Sequence, residues 1–283
     1  MDFRVALAQI KPKLGCVGDN LAVLEKAVEQ GISERADLIV FPELALTGYF
    51  LRDLVPDVAL RLDSPELARL CLLSRQISIA VGFVEVSPDY RFFNSVAYFE
   101  NGELRHLHRK VYLPTYGLFD EQRYLARGER FRAFDTRFGR MGMLICEDMW
   151  HLSASYILAM DGATTLLCLS SSPGRGVSEG ESLGSTNAWQ RLTATTAMFL
   201  NCRILYCNRV GYEDGVNFWG GSEAVSPGGE IIARGALLDE DFVLADIEEG
   251  ALRRERIFSP MMRDENLAVT MKELRRIGKE REC

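Results

Sequence analysis

Apolar positions along this chain follow two rhythms. Short dense runs read as strands: "FRVALAQI" (3–10), "ADLIVFPE" (36–43), "ISIAVGFVEV" (77–86), "GRMGMLIC" (139–146), "ATTLLCLSSS" (163–172), "CRILYCNRVG" (202–211) and "DFVLADIE" (241–248). They are rich in Val, Ile, Leu and Phe and bounded by turn or charged residues, as buried strands are. Between them, apolar residues recur every three to four positions. In "DNLAVLEKAVEQG" (19–31), Leu21, Leu24 and Val28 share one helix face, Asp19 or Asn20 is the expected cap and Gly31 the expected stop. "SPELARLCLLSRQ" (64–76) reads as a helix with Ser64 at the N-cap and Pro65 in the first helical position. "NAWQRLTATTAMFLN" (187–201) is a third helix, and a short one is expected after Trp150. Two segments read as hairpins: 94–110 around Asn101-Gly102, and 222–234 around Pro227-Gly228-Gly229.

Strand and helix alternate through most of the chain, but the hairpins interrupt that order. The pattern predicts an α/β layer protein with mixed sheets. No linker, repeat or low-complexity tract divides residues 1–283, so a single domain is expected. From about Ala251 the chain is charge-rich and weakly periodic until "LAVTMKELRRI". That tail reads either as a surface helix or as an arm packing on another subunit.

Composition narrows the function. The 283 residues are 47% hydrophobic and 26% charged, an ordinary globular balance. The net charge of −7 argues against a general nucleic-acid binder and against an anionic membrane surface. No apolar run approaches the length of a membrane span, and "MDFRVALAQI" lacks the basic start and long apolar core of a signal peptide. Seven cysteines, irregularly spaced and without a CxxC pair, suggest free thiols in a reducing cytoplasm.

Chemistry is most plausible where strands end, because loops there project side chains from a rigid base. Glu43 follows "LIVFP", Lys110 follows "LRHLHR" and Cys146 follows "MGMLI". A thiol near pKa 8.5 needs a base to act at neutral pH. Glu43 is suited to take that proton, and Lys110 to hold an oxyanion. Taken singly, the same residues also read as two solvated charges and one small core residue. His106 and His108 lie two apart on a strand without a third ligand nearby, which favours ordinary strand histidines over a metal site.

"LIVFPELALTGY", "HRKVYLPTYGLFDEQRY" and "MGMLICEDMW" resemble the three successive signature blocks of the nitrilase, or carbon–nitrogen hydrolase, superfamily, in the family's order. The later "CRILYCNRVGYEDGVNFWGGSEAVSPGGEII" resembles its C-terminal sheet segment. The resemblance implies a four-layer α-β-β-α sandwich of two mixed β-sheets. It also implies a Glu–Lys–Cys triad: Glu43 as general base, Lys110 as oxyanion holder and Cys146 as nucleophile. Glu121 matches a second glutamate that positions the lysine and substrate; read alone, it is a surface acid beside Arg123. The Glu147 N–H would complete the oxyanion hole. The chemistry implied is hydrolysis of an amide through a thioester, with no metal and no organic cofactor. Family members generally dimerise or assemble further, which favours the arm reading of residues 251–283.

The substrate is less legible. "CEDMW" and "YLPTYGLFDEQRY" look most like the glutaminase domain of glutamine-dependent NAD synthetases. Those enzymes carry a second, ATP-binding domain with an SGGxDS-type loop, which this sequence lacks. The expectation is a stand-alone amidase; the alternatives are a glutaminase subunit feeding ammonia to a partner synthetase, a nitrilase, or an acyl transferase. Tyr49, Tyr116, Trp150, Ser171 and Ser172 are candidate substrate contacts. The Gly- and Ser-rich stretch 174–185 reads equally as a flap or an ordinary loop.

Overall fold

A computed structural model describes residues 1–174 and 184–281. The first sheet contains β1 (Phe3–Gln9), β2 (Leu38–Val40), β3 (Ser78–Val86), β4 (Phe92–Glu100) and β5 (Glu103–Arg109). The second contains β6 (Phe134–Thr136), β7 (Gly139–Ile145), β8 (Thr165–Ser170) and β9 (Arg203–Asn208). A separate hairpin, β10 (Val210–Glu213) and β11 (Val216–Trp219), precedes β12 (Glu223–Val225), β13 (Ile231–Arg234) and β14 (Asp241–Ile247). The first sheet runs β14-β1-β2-β3-β4-β5 and the second β13-β12-β9-β8-β7-β6. Both are mixed: β1–β2–β3 and β7–β8–β9 are parallel, and their flanking pairs antiparallel.

The helices are α1 (Val17–Ser33), α2 (Val55–Val58), α3 (Pro65–Leu73), α4 (Leu152–Met160), α5 (Gly184–Leu200), α6 (Glu249–Phe258), α7 (Met261–Asp264) and α8 (Leu267–Arg281). Period-two alternation sorts β1 between two cores. Phe3, Val5 and Leu7 face the second sheet, while Ala6 and Ala8 face α1 and α3. α4 and α5 cover the other side of the second sheet. The result is the expected α-β-β-α sandwich of two mixed sheets.

Several boundaries differ from the expectation. α1 starts at Val17 with Cys16 at the cap, and no side chain caps it. Asn20 lies inside the helix, where its amide instead bonds Lys13 and the Leu46 carbonyl. Gly31 does not stop the helix; it lets α1 approach Ile77, whose Cδ1 lies 3.0 Å from where a Cβ would be. Asn101 and Gly102 both have positive φ, as a two-residue hairpin turn requires. The β10–β11 hairpin turns in the same way at Asp214-Gly215, inside the segment that resembles the family's C-terminal sheet, where the apolar pattern marked no hairpin. α6 starts the tail expected to be a surface helix or an arm, and Leu252 is its one buried residue.

Candidate active site

The chain leaves β2 through Phe41 and Pro42, and the next residue is fully buried Glu43. It passes tightly over β3. A Cβ on Gly82 would lie 2.5 Å from the Leu44 nitrogen and 2.9 Å from the Glu43 Cα, so only glycine fits there. Glu43 Oε1 accepts from Asn94 Nδ2 and from Lys110 Nζ, each at 2.7 Å. Its Oε2 accepts the Ser171 N–H at 2.7 Å.

Lys110 extends the β5 register by one residue, donating its own N–H to the Asn94 carbonyl at 2.8 Å. Its ammonium bridges Glu43 and Glu121, with 2.7 Å to each. Burial alone would favour neutral Lys110, but the charges of Glu121 and Glu43 outweigh it and raise its pKa well above the usual range. Glu121 opens a short 3-10 turn (Glu121–Arg123) and is buried, not a surface partner of Arg123. Its Oε1 also accepts from the Tyr49 hydroxyl. Desolvation pushes its carboxyl up to about 7, against the pull of Lys110.

Cys146 stands directly after β7 with φ +45°, a left-handed conformation unfavourable for a side-chain-bearing residue. Ser170 Oγ donates to its Sγ at 3.4 Å. Burial first, and the negative charge of Glu43 second, push the thiol pKa up, while Lys110 pulls it down. The resting sulfur is therefore a thiol beside a carboxylate base and a cation, an arrangement suited to nucleophilic attack coupled to proton transfer.

Asp148 holds this turn together. Its Oδ1 accepts the N–H groups of Val111 (3.0 Å) and Tyr112 (2.9 Å), directly after Lys110. Its Oδ2 accepts the Ile145 N–H at 3.1 Å, directly before Cys146, and lies 2.9 Å from His108 Nε2. One buried carboxylate thus ties the lysine's strand end to the cysteine's. The sequence reading did not single out Asp148. His106 stacks on Phe134, and among the described residues no group of three or more His, Cys, Asp or Glu could hold a metal.

A cavity of about 390 Å³ opens at Cys146, bordered by Tyr116, Glu147, Trp150, Ser172 and Trp189. The Tyr116 hydroxyl donates to the Glu147 carboxylate at 2.9 Å, so Glu147 has a side-chain partner at the cavity rim besides any part played by its N–H. Ser172 Oγ accepts from Trp189 Nε1 at 2.8 Å. Two candidate contacts face elsewhere. Ser171 does not line the cavity: it is buried against Glu43, and its hydroxyl donates to the Glu43 carbonyl at 2.9 Å. Tyr49 borders a separate apolar cavity of about 350 Å³ behind Glu121. Residues 175–183, most of the candidate flap, lie outside the described residues.

With this geometry in view, the comparisons with known proteins are decisive on family. The carbon-nitrogen hydrolase family profile matches residues 4–256. The chain belongs to the carbon–nitrogen hydrolase family. It is 33% identical to a glutamine-dependent NAD(+) synthetase of Synechocystis sp., over 94% of this chain and 50% of that protein. A solved glutamine-dependent NAD+ synthetase from Acinetobacter baumannii is 30% identical, with a TM-score of 0.79 over 89% of this chain and 47% of the other. A carbon-nitrogen hydrolase from Helicobacter pylori shares the fold end to end, with a TM-score of 0.86 at 23% identity over 97% and 99% of the two chains. This carbon–nitrogen hydrolase spans about half the length of the NAD(+) synthetases it matches. No helix among its described residues is long and apolar enough to cross a membrane.

Proposed function

We propose that this carbon–nitrogen hydrolase is a cysteine-dependent amidase, cleaving the C–N bond of a small amide to a carboxylic acid and ammonia. Glu43 takes the Cys146 proton as the sulfur attacks the amide carbon. Lys110 and the Glu147 N–H hold the resulting oxyanion, and Glu121 with Tyr49 fixes the lysine. The amine leaves with the proton from Glu43, giving a thioester. Glu43 then activates water, and the acid departs. The observation that carries this reading is Lys110 Nζ, buried and held 2.7 Å from both Glu43 and Glu121, at strand ends that Asp148 joins to a left-handed Cys146.

A second reading is a glutaminase that supplies ammonia to a synthetase partner. It is favoured by the match to proteins named glutamine-dependent NAD(+) synthetase, of which this chain spans about half. An ammonia-release screen over glutamine, short aliphatic amides, ω-amides, carbamoyl amines and nitriles decides between them. Release from several simple amides supports the amidase; strict dependence on glutamine supports the glutaminase. Attack of an added amine on the thioester in place of water, releasing the Cys146 thiol and a new amide, would instead mark an acyl transferase.

We further propose that this chain acts in the cytoplasm and assembles as a homo-oligomer, with residues 251–283 as an interface arm. α8 buries none of its residues, and Leu152 on α4 and Phe258 on α6 are each 80% exposed, apolar surface of a kind that partners cover. Sedimentation of a chain ending at residue 250 tests the arm: unchanged assembly overturns it.

A further inference from the structure

The outer edge of the first sheet forms a groove of about 800 Å³, distinct from the cavity at Cys146. β5 is the terminal strand there. Lys110 donates to Asn94, so the antiparallel alternation turns the N–H and C=O of Leu107 away from β4. Arg105 is the extra residue of a bulge, because His106 pairs with Tyr98 while Leu104 pairs with Phe99. Among the described residues, no other main-chain hydrogen bond reaches Arg105 or Leu107. The strand edge is open at Leu107.

Six arginines line this groove, in a chain whose net charge is −7. Arg91, Arg105 and Arg109 pair with Asp89, Glu103 and Glu85. Arg127, Arg130 and Arg132 are exposed and have no hydrogen bond or ion pair among the described residues. Glu129 is the one acid in the lining. The field reaches inward: His106 is lowered to about 4, by burial first and then by His108, Arg130 and Arg132.

We propose that this groove docks an extended acidic segment of a protein partner, added as a strand along β5. The open main-chain groups at Leu107 start a hydrogen-bond ladder, and the unpaired arginines select the segment's charge. The same arginines repel a second copy of this edge, so the edge is guarded against self-pairing while accepting an acidic strand. A compact anion would use the arginines and leave the strand edge unused.

The test is fluorescence anisotropy of a labelled (Glu-Val)4 octapeptide against the full chain at low salt. Saturable binding is expected. It weakens at least tenfold in the Arg130→Glu/Arg132→Glu variant, whose circular dichroism matches wild type. It weakens comparably when alternate peptide amides are N-methylated, which removes the ladder donors. Three results overturn the proposal: no saturable binding, binding indifferent to the charge reversal, or equal binding of the N-methylated peptide. The last would mark a site for compact anions.

Discussion

Two walls meet at Cys146, and they are built differently. The inner wall is Glu43, Lys110 and Glu121, buried and joined by hydrogen bonds to Asn94, Ser171 and Tyr49. The outer wall is Tyr116, Glu147 and Trp150, with Tyr116 53% and Trp150 44% exposed. In the dry wall every displacement breaks a charge-assisted bond, so its geometry is fixed before a ligand arrives. At the wet rim, side chains can be exchanged at small cost. On the proposed function, reaction type belongs to the first wall and substrate choice to the second.

Apart from the nucleophile itself, the inner wall offers the largest effects. Lys110→Met removes the oxyanion cation and leaves two carboxylates facing each other. The expected fall in kcat is about a thousandfold or more, read by steady-state ammonia release, together with a lower melting temperature. Loss of less than tenfold would mean that the dry wall is structural only. Asp148→Asn keeps the shape but weakens the acceptor of three N–H groups. It is expected to cost about 3 kcal/mol in urea unfolding and to lower kcat without a matching change in KM.

Glu121 sharpens the comparison through pH. Its carboxyl is raised to about 7, so it takes up a proton below that pH and leaves Lys110 with one charged partner. kcat/KM should therefore decline on the acid side with a midpoint near 7, and Glu121→Gln should remove that limb. The rim carries the smallest effects. Tyr116→Phe removes the hydrogen bond to Glu147 and is expected to change KM by about tenfold, at the low end for one lost hydrogen bond to a charged group, while kcat for the smallest amides stays near wild type. An equal loss of kcat for all amides would erase the distinction between the walls.

How much of this was legible in the sequence follows the same division. The strands were readable because they are buried on both faces and dense in apolar residues. Glu43 and Cys146 close such runs, whereas Lys110 closes the polar arm "LRHLHR"; the family resemblance joined the three into one candidate site. Glu121 was not, since no strand or helix precedes it; only the resemblance of "FDEQRY" singled it out. Asp148 escaped because its partners are main-chain N–H groups near Lys110 and Cys146, and main-chain groups leave no mark on residue identity. Ser171 likewise read as a pocket residue because its position was visible and its orientation toward Glu43 was not. The β10–β11 hairpin had a usable signal in Asp214-Gly215, but its four-residue strands are too short to show alternation.

The most direct measurement is ammonia release by Cys146→Ala, folded as judged by circular dichroism, from every amide that wild type hydrolyses. Release at the uncatalysed rate is expected, with an acyl mass found on the Cys146 peptide of acid-quenched wild type and absent from the variant. Wild-type release by Cys146→Ala, or an acyl mass on a different residue, would contradict it.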